Sequence, residues 1–548
     1  MDLEALVIAS MPLVLAGAAF ALPMIRLAIR SKEFFDLYAV FWTGIAAIVT
    51  SYTVIKVWNI GKPLLYTLGG WPPPLGIVYE IDLVGAVLAA LTAIVIFLAT
   101  VYSAWFAYRF EKRVAWYYTL ILLLEAGLLG CMYTGDIFNL FVMIEVTALA
   151  SYALVAFYRD RLIALEASIK YGIIGAAATS VYFLAVVILY LSYGTLNMAD
   201  LTLRAHELTT LLGTKLGTEV YTLALSSTIA LALSLWTFMY LAAIFPNHFW
   251  LPDAHPEAPT PISAILSGVV VNVGIYATLR FFYTIFSPGS VLSTVTIGSL
   301  ALSLRDFILY VAMILGAITC ILGALLMVVQ RDVKRLLAYS TISHMGLIFM
   351  GLAICLDTVA EPIRVLALAA VVFHTINHAF GKSLLFLSAG VFIDITGTRD
   401  MERWREMKGV GGDRIAFSGM VTGSLHLLGV PPLGGFFSKL MLMQAFIASG
   451  KPWLALVLVA ASAIALIAYI KLITSAAPLI SAPQTTKRSP LAILTIVILI
   501  ALCVAPGIAY VAGYVIPALQ KIASLTASTH GVRAYIEAAL HAAEVLTP

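Results

Sequence analysis

The sequence predicts an all-α polytopic membrane protein of about fourteen transmembrane helices, and three observations carry that reading. Of its 548 residues, 62% are hydrophobic and 11% charged, where a water-soluble chain has roughly 45–50% apolar and about 25% charged residues. Apolar stretches of about 20 residues, enough for a hydrocarbon core of about 30 Å, recur along nearly the whole chain. Basic residues fall unequally on alternate connecting loops. The net charge of +4 is too small to point to a nucleic acid partner. The four cysteines, Cys131, Cys320, Cys355 and Cys503, form no CxxC or CxxxC pair, which argues against disulfide scaffolds, iron–sulfur binding and structural zinc. No GxxxxGK[ST] loop and no paired-histidine haem pattern occurs, so no cofactor and no metal is expected in this chain. Asn and Gln number only ten. That scarcity fits a hyperthermophile, and membrane composition itself also produces much of it.

The expected span cores are 6–25, 37–56, 83–105, 115–132, 137–157, 172–192, 221–244, 262–285, 307–329, 338–356, 364–392, 416–447, 453–474 and 490–516. The first is read as a retained helix, because Met1-Asp-Leu-Glu4 is acidic and the run to Arg26 outlasts the apolar region of a cleavable signal. The seventh runs into Pro246 and the proline-rich loop Leu251–Pro261. The eleventh and twelfth are unusually long, and Gly429-Val-Pro-Pro-Leu-Gly-Gly435 interrupts the twelfth.

With the N-terminus outside, nineteen Lys and Arg residues fall on inside loops and ten on outside loops. The inside groups are Arg26, Arg30 and Lys32; Arg109, Lys112 and Arg113; Arg159 and Arg161; Arg331, Lys334 and Arg335; Arg399, Arg403, Arg405, Lys408 and Arg414; and Lys471, Lys487 and Arg488. The outside ones include Lys215, Arg280, Arg305 and Arg364. This bias supports fourteen spans with both termini outside. Residues 198–212 and 517–546 look helical but too polar to cross, as interfacial amphipathic helices do. The chain therefore reads as one transmembrane domain, 1–516, with an amphipathic C-terminal tail, 517–548.

A charge near the bilayer centre costs at least about 2.5–3.5 kcal/mol, so each one in a span marks a functional candidate. Glu145 lies near the middle of span five and Glu125 equally deep in span four; hydrogen bonding of a protonated acid to a neighbouring helix is the plainer alternative for each. In span eleven His374, His378 and Lys382 recur at i, i+4 and i+8, on one helix face over about 12 Å. Neighbours about 6 Å apart need bridging waters to exchange a proton, and histidine titrates near neutrality. The alternative is polar packing between helices. Lys439 follows the break in span twelve, where freed backbone groups must line protein or a hydrated cavity. Asp253, His255 and Glu257 beside His248 superficially resemble a metal cluster, but alternate positions in a loop favour hydrogen bonds that organise it. Asp136 reads as the N-cap of span five, and Lys170 as a lysine snorkelling to the surface.

Several strings together resemble the antiporter-like membrane subunits of complex I, the Mrp sodium/proton antiporters and the membrane-bound hydrogenases. They are Thr134-Gly-Asp-Ile-Phe-Asn-Leu-Phe-Val-Met-Ile-Glu145, Phe245-Pro-Asn-His-Phe-Trp-Leu-Pro-Asp-Ala-His-Pro-Glu-Ala-Pro-Thr-Pro261, Arg331-Asp-Val-Lys-Arg-Leu-Leu-Ala-Tyr-Ser340, Ile376-Asn-His-Ala-Phe-Gly-Lys-Ser-Leu-Leu-Phe386 and Gly429-Val-Pro-Pro-Leu-Gly-Gly-Phe-Phe-Ser-Lys439. The resemblance implies two inverted five-helix repeats (about 115–285 and 307–474), broken helices seven and twelve, and a hydrated polar axis. It places an ion path on Glu145, His374, His378, Lys382 and Lys439, with Glu125, Lys334 and His248 as accessory candidates. Two positions depart from the family pattern. The span-seven lysine falls on Leu241 and the span-eight lysine on Asn272, and no Lys or Arg stands between Lys215 and Arg280. The Glu–Lys switch of the N-terminal half is therefore incomplete.

The expected function is ion translocation, of H⁺ or of Na⁺ against H⁺, in a multi-subunit complex of a prokaryotic cell membrane. Its partners would be lipid and other antiporter-like and hydrogenase- or dehydrogenase-like membrane subunits, with any redox centres in those subunits. The alternative is a structural antiporter-like subunit with an incomplete N-terminal half-channel.

Overall fold

A hydrocarbon layer offers no water to backbone amides, so apolar stretches close into helices whose N–H and C=O groups pair internally. The computed structural model describes residues 3–212, 217–297, 302–407, 411–481 and 489–546. Of the topology charges, Lys215, Lys408, Lys487 and Arg488 lie outside the described residues. The helices in chain order are α1 Leu3–Ala28, α2 Lys32–Ile60, α3 Leu83–Phe106, α4 Val114–Tyr133, α5 Ile137–Val155, α6 Leu162–Tyr193, α7 Met198–Leu212 and α8 Gly217–Leu241. Then follow α9 Trp250–Glu257, α10 Thr260–Ile265, α11 Asn272–Leu279, α12 Val291–Thr294, α13 Leu304–Val329, α14 Val333–Leu352 and α15 Glu361–Thr396. The last are α16 Met401–Glu406, α17 Arg414–Leu428, α18 Gly434–Ala448, α19 Pro452–Ala476, α20 Pro490–Val511, α21 Val515–Ala527 and α22 Thr529–Leu546. An antiparallel hairpin of β1 Leu64–Thr67 and β2 Val78–Ile81 joins α2 to α3.

Twelve described segments are long and apolar enough to cross a membrane. The expected tenth and twelfth spans fall outside that number for physical reasons. Helix α14 carries Lys334, Arg335 and His344, and the twelfth is split into α17 and α18, each of 15 residues. Helices α10 and α11, with π turns at Leu266–Val270 and Arg280–Ile285, make one span that is wholly enclosed by the others. It sits at the core with α4, α14 and the middle of α15. The rim helices α2, α6, α19 and α20 turn Ile48, Leu191, Ile467 and Leu494 outward, as contact with lipid tails requires. Aspartates cap the helices that begin at polar edges: Asp136 accepts from Phe138 and Asn139 N–H groups at α5, and Asp332 from Lys334 and Arg335 N–H groups at α14.

Two expectations are corrected. The proline-rich stretch 251–261 is largely helical rather than a loop, because Pro252 falls in the first turn of α9, where its missing N–H is not needed. Arg280 and Arg305, counted as outside loop charges, are fully buried. Arg305 donates to the Phe286 carbonyl at 2.6 Å and the Phe282 carbonyl at 2.8 Å, with Asp357 at 3.3 Å.

The break in the twelfth span follows from two glycines. Gly429 ends α17 with φ of 85°, a left-handed conformation that side chains resist. Gly435 lies against the His426 carbonyl so closely that a Cβ there would collide with it.

The C-terminal helices α21 and α22 fold back along one end of the bundle. Lys521 donates to the Trp58 carbonyl at 2.9 Å and Thr526 to Asp82 at 3.1 Å. Tyr535 stacks under the Arg280 guanidinium, 5.1 Å from the ring centre, while Arg280 pairs with Asp82. Glu80 of β2 is enclosed beside this pair, and burial holds its carboxyl well above the usual carboxylate range against the pull of Arg280.

Gly435→Ala is expected to lower stability by about 1–3 kcal/mol through overpacking, while Gly17→Ala, which meets no atom within 4 Å, leaves it unchanged; thermal unfolding in detergent separates the two. An acid whose pKa rises on folding loses stability as pH climbs from its unfolded value toward the folded one. Glu80→Gln should therefore be more stable than the parent at neutral pH and should remove a decline that begins above pH 4.5, measured as melting temperature against pH.

Candidate functional site

Buried basic groups need acceptors, and the helix breaks supply them. The last carbonyls of any helix lack intrahelical partners and carry the negative end of its dipole. At the end of α17 the Leu428 carbonyl accepts from Lys439 Nζ at 3.1 Å, and Ser462 Oγ of α19 accepts at 2.9 Å. Just past α9 the Ala258 carbonyl accepts from Lys334 Nζ at 2.7 Å, with Ser263 Oγ at 3.2 Å. Lys382, in the enclosed middle of α15, donates to Ser340 Oγ and to the Leu337 carbonyl at 3.1 Å, both on α14. None of these lysines has a carboxylate partner among the described residues.

Between Lys382 and Lys439 runs a file of imidazoles. His344 Nδ1 and His374 Nε2 are 3.0 Å apart, and His374 Nδ1 lies 2.9 Å from Ser438 Oγ. In neutral imidazoles one nitrogen donates and the other accepts, so the contact fixes complementary tautomers. The His378 ring centre is 5.5 Å from that of His344, and neither His378 nitrogen has a partner among the described residues. A cavity of about 20 Å³ touches His344, Lys439 and Ser462, room for one water. His426 Nε2 meets the Asn377 carbonyl at 2.9 Å alongside the file.

The structure thus brings His374, His378, Lys382 and Lys439 to one buried axis. His344, Ser340, Ser438 and Ser462 complete it without having been singled out from the sequence. The signal for His344 was available: an intramembrane histidine four residues after Ser340 deserves the same scrutiny as His374.

The remaining candidates stand differently. Glu125 is fully buried on α4, and neither carboxyl oxygen has a hydrogen-bond partner among the described residues. Glu145 is only half-buried and lies near Tyr152 and Tyr240. Leu241 ends α8, and Asn272 donates to the Gly268 carbonyl at 3.1 Å with its own oxygen unpartnered. No lysine or arginine faces Glu145 in a described ion pair. His248 packs its ring against Phe245 at 5.8 Å and forms no described link to the file. Asp253 and Glu257 pair with Arg335 at 3.5 Å and Arg399 at 3.0 Å, and no group of three metal-ligating side chains occurs among the described residues.

A membrane-sized helical bundle, two interrupted spans and a buried file of lysine and histidine together define an antiporter-like membrane subunit. The chain belongs to the family described as NADH:quinone oxidoreductase/Mrp antiporter, TM, whose model matches residues 134–465. It is 33% identical over 477 residues to NADH-quinone oxidoreductase subunit N of Desulforudis audaxviator, covering 86% of each chain. To the D subunit of the Na(+)/H(+) antiporter of Alkalihalophilus pseudofirmus it is 33% identical over 408 residues, 73% of this chain and 72% of the relative. Among solved structures, it is similar to a chain of the membrane-bound sulfane sulfur reductase, an archaeal respiratory membrane complex. There the TM-score is 0.80 at 27% identity, over 97% of this chain and 99% of that one.

His344→Leu should cost about 1–3 kcal/mol of stability, because it orphans His374 Nε2 in a buried site. His344→Gln, which keeps a polar partner, should cost less, as compared by thermal unfolding.

Proposed function

We propose that the chain is an ion-translocating subunit, moving H⁺ or exchanging Na⁺ for H⁺, within a multi-subunit complex of a prokaryotic plasma membrane. The supporting observation is the buried cluster of Lys382, His378, His344, His374 and Lys439, in which His344, His374 and Ser438 are joined by hydrogen-bond contacts and a water-sized cavity touches His344 and Lys439. Each lysine is held by neutral carbonyls and hydroxyls. It can therefore give up its proton without leaving a carboxylate unpaired.

In this reading the chain crosses fourteen times, the twelve apolar segments being joined by α14 and by the α17–α18 pair. The repeats at about 115–285 and 307–474 form one transmembrane domain to 516, both termini lie outside, and 517–548 is an amphipathic tail. In the same reading Glu145 is the path residue of the N-terminal half, and Glu125, Lys334 and His248 are accessory candidates outside the file. The partners are antiporter-like and hydrogenase- or dehydrogenase-like membrane subunits, which hold any redox centres.

A second reading, a structural subunit with an inactive N-terminal half, draws on Leu241 and Asn272 and on the lack of a basic partner for Glu145 among the described residues.

Lys439→Ala and His378→Ala are each expected to lower ion uptake roughly tenfold or more in vesicles carrying the assembled complex, with assembly intact. Glu145→Gln should cost much less. Unchanged uptake in the first two variants would favour the structural reading, and an equal loss in all three would make the halves equally active.

A further inference from the structure

At the end of the bundle where Arg109, Arg161 and Arg399 gather, a cavity of about 590 Å³ opens between the α3–α4 and α5–α6 connections, the broken seventh span, α14 and the end of α15. It lies beyond the file proposed for ion movement. Four cationic side chains line it, namely Arg109, Arg161, Lys334 and Arg399, and among the described residues no carboxylate does. The pairing of these cations decides what the cavity can hold. Arg109 pairs with Asp394, and Arg399 with Glu257 at 3.0 Å and Asp332 at 3.1 Å, all three acids lying outside the lining. Lys334 donates only to the Ala258 carbonyl and Ser263 Oγ, two of its three possible bonds. Arg161 stacks over Tyr158 at 4.8 Å and has no carboxylate partner among the described residues.

Among the described residues, neither of the basic groups Arg161 and Lys334 at this void has a carboxylate partner. The neighbouring cavity of about 330 Å³ is unlike it, for Glu166, Asp253, Glu257 and Asp332 there balance Lys170, Arg335 and Arg399.

We propose that the larger cavity binds a phosphate-bearing anion, held as the headgroup of an anionic membrane lipid. Arginine forks suit phosphate oxygens, Lys334 supplies a buried third donor, and Thr260 and Thr398 line the void with neutral hydroxyls. The volume lies within the usual range for small-molecule sites, about 300–1,000 Å³. Lipid is favoured over a soluble anion because the wall is part apolar, with Phe106 and Ile393. In addition, Leu162 and Ile163, next to Arg161, are 82% and 66% exposed, a surface for acyl chains beside the charged seat. Basic pockets between membrane helices hold anionic headgroups in this way.

The full-length protein in phosphatidylcholine nanodiscs containing phosphatidylglycerol tests this, with retained lipid counted by native mass spectrometry. Arg161→Gln should reduce phosphatidylglycerol retention about fivefold, the effect of one basic group near an anionic surface. Arg30→Gln, an exposed charge outside the cavity, should leave it unchanged. Equal losses in the two variants, or none, would overturn the site. Inorganic phosphate that stabilises the parent in pure phosphatidylcholine, but not Arg161→Gln, would overturn the lipid assignment in favour of a soluble anion. Thr398→Cys gives an independent measurement with the basic residues intact, since the native cysteines are all buried. Its labelling by a neutral maleimide should slow about fivefold when phosphatidylglycerol replaces phosphatidylcholine, and equal rates would overturn the proposal.

Discussion

An ammonium group inside a helical bundle must find oxygen atoms to replace its water, or the bundle does not hold it. In regular helices almost every carbonyl is already engaged, so a buried lysine needs either a neighbouring hydroxyl or a place where a helix stops. Lys439 uses the carbonyl left free at the end of α17, and Lys334 the one just beyond α9. Lys382 uses the flank of α14 and the Ser340 hydroxyl. The helix ends at Leu428 and at Ala258 thus supply acceptors for two of the three buried lysines. The tight glycine packing at Gly435 keeps the first of those ends in register with its lysine.

The same constraint separates the two halves of the molecule. Around α15 and α18 the basic groups are many, and each has a neutral acceptor or an imidazole neighbour. Around α5, α8 and α11 the break after Leu241 is flanked by that apolar residue and by the neutral Asn272, which bonds the Gly268 carbonyl. Glu125 remains without a hydrogen bond among the described residues, and Arg280, on the same span as Asn272, is committed to Asp82 and Tyr535.

Much of this could be read in the sequence because hydrophobic length and helix-breaking residues act locally. The twelve apolar segments, the polar helix at 198–212 and the split between Leu428 and Gly434 all follow from neighbours in the chain. The i, i+4, i+8 spacing of His374, His378 and Lys382 likewise put them on one face. Partners contributed by another helix were beyond such reasoning. His344 and Ser340 reach the file only because α14 packs on α15, and Ser462 reaches Lys439 only because α19 packs on α18. Arg280 and Arg305 were misplaced for the same reason: a charge at the end of an apolar run looks like a loop residue until the acid or carbonyl that draws it inward is known.

The seating of Thr526 and Tyr535 against Asp82 and Arg280 has a consequence for how the molecule is made. Asp82 caps α3 and Arg280 lies in the span of α10 and α11, while Tyr535 on α22 follows both far along the chain. In chain order the first two precede α22, so their cover comes only once that helix has been made. A chain that lacked α22 would present Arg280 and Asp82 to the surroundings without the Tyr535 ring that covers them.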